Sequence, residues 1–175
     1  MGETTSGTTA PAITNDTIER LLGRVSVRDF TDAPVDDATV DAVIGAAVRA
    51  PTSSNIQAYS ILVVRDQDTK TALAEAVGNQ KHVITCPVFL AFCADLTRIE
   101  HAMHQGGHDV DDNNLEMGLV SSIDASLVGM SAYLVAETLG LKSYLGQIPL
   151  LRCGGVFQQE RPLAGDLESQ DRRLG

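Results

Sequence analysis

Arg24, Ser26 and Arg28 occupy every second position of one short segment. In an extended chain that spacing puts their side chains on one face. Two guanidinium forks with a hydroxyl between them suit a phosphate or another planar anion. The concentration stands out in a chain with only 13 Lys and Arg. The plainer reading is a surface strand with solvated arginines. A second candidate, Thr52-Ser53-Ser54-Asn55-Ile56-Gln57, follows Pro51 directly and precedes an apolar run. Its hydroxyls and amides can offer donors and acceptors to a flat heterocycle, although such compositions also make ordinary polar turns. Gln80-Lys81-His82 lies between a helix and an apolar strand, where loops often carry ligand contacts.

One grouping suggests a metal: His101, His104 and His108 with Asp109, Asp111 and Asp112. On a helix His101 and His104 would be neighbours, with His108 one turn further. Gly106-Gly107 breaks that helix, and no orienting partner is visible nearby, so no metal is expected. Nucleophile–base pairs, a phosphate loop and a dinucleotide-binding glycine fingerprint are all absent from the sequence. No side chain is therefore assigned as catalytic.

The elements that position these residues follow from periodicity. Asp16 and Glu19 open a short amphipathic helix that stops near Gly23, and Arg24–Phe30 alternates as an extended segment. Asp36-Asp37 opens a second helix with Val40, Val43, Ile44 and Ala47 on one face, ended before Pro51. Tyr59–Arg65 reads as a strand closed by an Asp66-Gln67-Asp68 turn. A third helix spans about 70–77, up to Gly78-Asn79. Pro87–Ala94 reads as a strand buried on both faces, and Glu100–Asn114 as a polar, mobile excursion. A long helix runs from Leu115 to Thr138 and ends at Gly140, followed by a strand over Lys142–Gly146. Residues 1–14 read as a disordered leader, 15–147 as one domain, and 148–175 as a divergent tail.

Composition narrows the function classes. The 175 residues carry 23 Asp and Glu, a net charge of −10, which argues against a face for nucleic-acid phosphates. Aromatic residues make up 4% with no Trp, so base-stacking platforms are not expected either. Cys86, Cys93 and Cys153 are odd in number and scattered, which fits buried thiols in a reducing cytoplasm. The leader lacks the charge and apolar core of a signal peptide. Glu116, Asp124 and Glu137 make the long apolar helix a buried one, not a membrane span.

Taken in order, Arg24–Phe30, Ala50–Gln57 and Gly78–Val83 resemble the FMN-dependent nitroreductase family. Phe92–Asp95, Ala136–Leu141 and Tyr144–Gly146 are similar to its oxygen-insensitive NADPH nitroreductase and flavin reductase branch. The resemblance implies an α+β fold, a mostly antiparallel central sheet flanked by helices, dimerised through the long central helix. It implies one FMN in each of two pockets between subunits, with Arg24 and Ser26 on the phosphate and Arg28 near the pyrimidine end of the ring. Ser53, Asn55 and Gln57 would approach the ring from the partner subunit, and Gln80 and His82 would contact the ring or ribityl chain. The backbone of Tyr144, Leu145, Gly146 and Gln147 would lie along the flavin and offer a donor to its N5. The implied reaction is ping-pong, from NAD(P)H through FMN to a nitroaromatic, quinone or flavin acceptor. Because the flavin does the chemistry, no dedicated acid or base is needed.

Two departures accompany the resemblance. Val25, within the same cofactor-binding segment, stands where the family commonly has a basic residue. After Gly146 the family continues with a further helix and strand, a late Lys-x-Arg pair on the phosphate and an arm around the partner. Gln147–Cys153 and the rest match none of it, which suggests a frameshift or truncation that would weaken FMN binding. Two other readings follow: a non-catalytic flavin-binding or dimerisation module, and a metal-binding protein using the His101–Asp112 loop.

Overall fold

The computed structural model describes residues 13–108 and 114–146. The sequence readings on most of the leader, on Asp109, Asp111 and Asp112, on Gln147 and on the tail lie outside these residues. Six α-helices and two strands follow in order. They are α1 (Asp16–Gly23), α2 (Asp37–Ala47), β1 (Tyr59–Val64), α3 (Gln67–Ala76), α4 (Lys81–Thr85), β2 (Phe89–Ala94), α5 (Thr97–Gln105) and α6 (Leu115–Thr138). A 3-10 turn, Ser53–Asn55, precedes β1. Helices thus dominate around a small antiparallel sheet, which is the expected α+β class.

Side-chain caps explain where the helices begin. Asn15, Asp36, Asp66 and Asn114 each accept a hydrogen bond from the backbone N–H three residues on. This corrects two readings: Asn15, not Asp16, caps α1, and Asp66 opens a helix at Gln67 where the sequence suggested a turn. Left-handed Gly78 and Asn79 stop α3, and left-handed Gly140 follows α6.

The sheet pairs β1 and β2 from Tyr59 opposite Ala94 to Val64 opposite Phe89. Alternation sends Tyr59, Ile61, Leu90 and Phe92 to one face, against Val43 and Ala47 of α2 and Ala125, Val128 and Ala132 of α6. Val64 and Phe89 point to the other face and meet Leu73, Ala74 and Val83 of α3 and α4. Gly129 lets α6 pass close to the sheet, for a Cβ there would lie 3.3 Å from the Phe92 ring. Val128 is fully buried, and burying such a side chain contributes about 1.5–3 kcal/mol.

Four expectations need correction. Arg24–Phe30 and Lys142–Gly146 belong to no strand; they run side by side with one backbone hydrogen bond, Val27 N–H to Ser143 C=O. One bond is not a ladder, which needs successive pairs. Residues 97–105 are helical, so the first part of the supposed excursion, through Gln105, is α5. Lys81–Thr85 forms α4, too short to show a period in sequence. Finally, Phe89–Cys93 are half-buried and Ala94 is exposed, not buried on both faces. Among the described residues one helix, α6, is long and apolar enough to cross a membrane by length and composition. Its Ser121, Asp124 and Glu137 are buried within the protein, as in a core helix.

Candidate flavin-binding site

Three distant stretches meet at one cluster. The Arg28 guanidinium lies 4.3 Å from the centre of the Tyr144 ring. The His82 ring approaches the same tyrosine edge-on, with centroids 4.5 Å apart. Gly146 closes against it, since a Cβ there would fall 2.6 Å from a Tyr144 ring carbon. Only glycine permits that approach.

Burial, and then the Arg28 charge, hold His82 below its ordinary imidazole range. His82 therefore stays neutral at physiological pH. Its Nε2 is buried without a hydrogen-bond partner, as is the Ser143 hydroxyl. Unsatisfied buried polar atoms cost about 1–3 kcal/mol each, so such atoms beside an exposed cationic segment suit a polar ligand.

Arg24 and Ser26 are exposed on the segment leading to this cluster. The Arg24 guanidinium lies 5.5 Å from the centre of the Tyr133 ring on α6. The Tyr133 hydroxyl donates to the Val25 carbonyl at 3.2 Å, so α6 anchors the segment from beneath. The Val25 side chain itself is exposed, as is that of Leu145. Gln80 sits just before α4, and its amide donates to the Val77 carbonyl at 3.0 Å.

Ser53, Asn55 and Gln57 form a separate, exposed group. Among the described residues, no hydrogen bond or ring contact joins them to Arg28, His82 or Tyr144. Within one chain the expected site residues therefore fall into two groups. Ser54, Asn55 and Gln57 all have positive φ, at 49°, 56° and 54°. Such conformations are uncommon for residues other than glycine and persist where the surroundings enforce them.

The enforcing residues were not visible as such in the sequence. The Asp124 carboxylate on α6, only 1% exposed, accepts from Ser53 N–H at 3.1 Å and Ala58 N–H at 3.2 Å. Arg98 of α5 donates to the carbonyls of Gln57 at 2.7 Å and Tyr59 at 3.3 Å. A signal for Asp124 did exist. It falls in the register Ser121, Asp124, Ala125, Val128, Ala132 that α6 buries, and a carboxylate there must find donors. His101 and His104 lie on α5, and among the described residues no three His, Cys, Asp or Glu gather as metal ligands would.

The nitroreductase family's sequence profile matches residues 21–151. The chain is 39% identical over 137 residues to an FMN reductase (NADPH) of Bacillus subtilis, covering 77% of this chain and 55% of that one. It is 40% identical over 133 residues to an oxygen-insensitive NADPH nitroreductase of Salmonella typhimurium, covering 75% and 54%. The solved NfrA1 nitroreductase from B. subtilis superposes with a TM-score of 0.70 at 38% identity, covering 73% and 52%. The chain thus spans about half the length of the relatives it matches.

Proposed function

The chain belongs to the nitroreductase family, and we propose that it is an FMN-dependent oxidoreductase. It takes electrons from NAD(P)H and passes them to a small nitroaromatic, quinone or flavin acceptor. The observation that carries this reading is the convergence of Arg28, His82 and Tyr144 beside the exposed Arg24–Ser26 segment. A cationic stretch next to an orphaned buried imidazole nitrogen suits a ligand with a phosphate at one end and a polar heterocycle at the other.

In this reading Arg24 and Ser26 hold the FMN phosphate. Arg28 places a fixed positive charge at the pyrimidine end of the ring, and neutral His82 and Gln80 meet the ring or ribityl chain. The backbone from Tyr144 to Gly146 runs along the flavin. Ser53, Asn55 and Gln57 serve the site of the partner in a homodimer, which accords with their separation from the Arg28 cluster in one chain. An apolar stripe supports association through α6: Leu115, Leu119, Ile123 and Leu127 are spaced by four residues and all exposed. Bound FMN supplies hydride acceptance and two-electron delivery in alternating half-reactions, so the protein's task is to bind, orient and exclude water. A cytoplasmic location accords with NAD(P)H as the donor.

The test is to load the purified chain with FMN, remove free flavin by gel filtration and record the visible flavin band before and after anaerobic NADPH. Retained flavin that bleaches and is reoxidised by a quinone, with parallel-line steady-state kinetics, is the expected result. Failure to retain flavin overturns the proposal. Retained flavin that NADPH does not bleach supports a non-catalytic flavin-binding module.

A further inference from the structure

We propose that Asp124 of α6 and Arg98 of α5 are positioning residues for FMN, acting through the Ser53–Gln57 loop. The inference rests on the reading above, in which this loop meets the flavin. Neither residue touches the Arg28 cluster, so their effect must travel through the loop backbone.

The loop cannot hold its shape by itself. Three of its residues adopt left-handed backbone without the glycines that would favour it, and its internal bonds close only a tight turn, Asn55 N–H to Thr52 C=O and Ile56 N–H to Ser53 C=O. At either end, Ser53 N–H donates to Asp124 Oδ1 and Ala58 N–H to Asp124 Oδ2. One carboxylate thus spans the loop's base. Arg98 grips the far side through the Gln57 carbonyl, and Asp95 N–H fixes the Ala58 carbonyl. A buried carboxylate is costly unless its bonds are made, and here both go to backbone that carries Asn55 and Gln57.

Asp124→Asn keeps the shape but leaves an NH2 facing one of the two N–H donors. Asn55→Ala removes a side chain that the loop presents. Arg24→Ala perturbs the phosphate end. The full chain is titrated with FMN, read by fluorescence quenching, alongside amide hydrogen exchange and the urea midpoint. Asp124→Asn should weaken FMN binding by about tenfold or more, roughly one lost bond to a charged group. In the Asn55→Ala background it should weaken binding less, whereas with Arg24→Ala the losses should multiply. Protection without flavin should fall at Ser53 and Ala58 and hold in α2 and β2.

If the two losses multiply in the Asn55→Ala background, Asp124 is merely structural and the proposal falls. Unchanged protection at Ser53 and Ala58 overturns the clamp whatever the flavin result. If Asp124→Asn does not fold, the exposed Arg98→Met carries the same tests, reading Gln57 and Asn55 in place of the Asp124 donors. A wild-type chain that retains no FMN overturns the functional reading and this inference together, while the exchange data still report the clamp separately.

Discussion

The Arg28 guanidinium stacks on the ring of Tyr144, 116 positions away in sequence, and brings its charge beside His82. The contact joins the segment after α1 to the segment after α6, which otherwise share a single backbone hydrogen bond between Val27 and Ser143. A cation over an aromatic face, about 0.5–2 kcal/mol, thus helps to hold the candidate site together before any ligand arrives.

That contact has a pH signature. His82 is held below its ordinary value, first by burial and then by Arg28. Below about pH 6.5, the ordinary imidazole value, the unfolded chain binds a proton at His82 more readily than the folded chain. His82's contribution to stability is therefore complete above that pH and is lost as the pH falls through its folded pKa. Thermal midpoints across this range should decline less steeply for His82→Gln than for wild type, and Arg28→Met should flatten the decline in part. Equal slopes in wild type and His82→Gln would show that the imidazole is not held neutral.

Arg24 offers a cleaner test of ligand polarity. Arg24→Ala should weaken FMN binding by about tenfold to 150-fold, from one charge-assisted bond of about 1.5–3 kcal/mol. Riboflavin, which lacks the phosphate, should bind the two proteins equally well. Equilibrium dialysis with both ligands checks this, and an equal loss for riboflavin would remove Arg24 from the phosphate.

The exposed stripe on α6 predicts an association defect. Ile123→Glu places a charge among Leu119, Leu127 and their counterparts on a second copy. Sedimentation equilibrium should show a dimer for wild type and a monomer for the variant. Ile123 is 56% exposed in the single chain, so the variant monomer should keep its helical circular dichroism.

Gly129 marks a packing limit. A Cβ there meets the Phe92 ring at 3.3 Å, so a larger side chain forces α6 away from the sheet. Gly129→Leu should lower stability by about 1–3 kcal/mol, the usual cost of overpacking. A urea titration measures it, and Phe92→Leu in the same chain should restore part of the loss.

Legibility from sequence tracked how local each cause was. The α2 period, the apolar length of α6 and the apolar, β-branched run of β1 are written into consecutive residues, and they reappear as Val43, Ala47, Tyr59, Val128 and Ala132 in one core. The segment around Val27 alternates like a strand, yet pairing depends on a neighbour that alternation does not specify. Helix α5 escaped because its apolar face is small, Ile99, Ala102 and Met103 in an otherwise polar stretch. The Arg24–Arg28 segment and His82 stood out by residue type; that Arg28 and His82 share Tyr144 did not. Asp124 entered only as a charge unfit for a membrane span, because its role depends on a loop 66 positions away from it at Ala58.

Helix α6 carries Asp124 on its buried side and Leu119, Ile123 and Leu127 on its open side. A second chain that settles on the open side settles on the support of the Ser53–Gln57 loop. Where cofactor binding and self-association share one helix, thermodynamic reciprocity applies: the factor by which dimerisation tightens FMN is the factor by which FMN tightens the dimer. Apparent FMN affinity should then rise with protein concentration, and a titration on dilute protein will understate it.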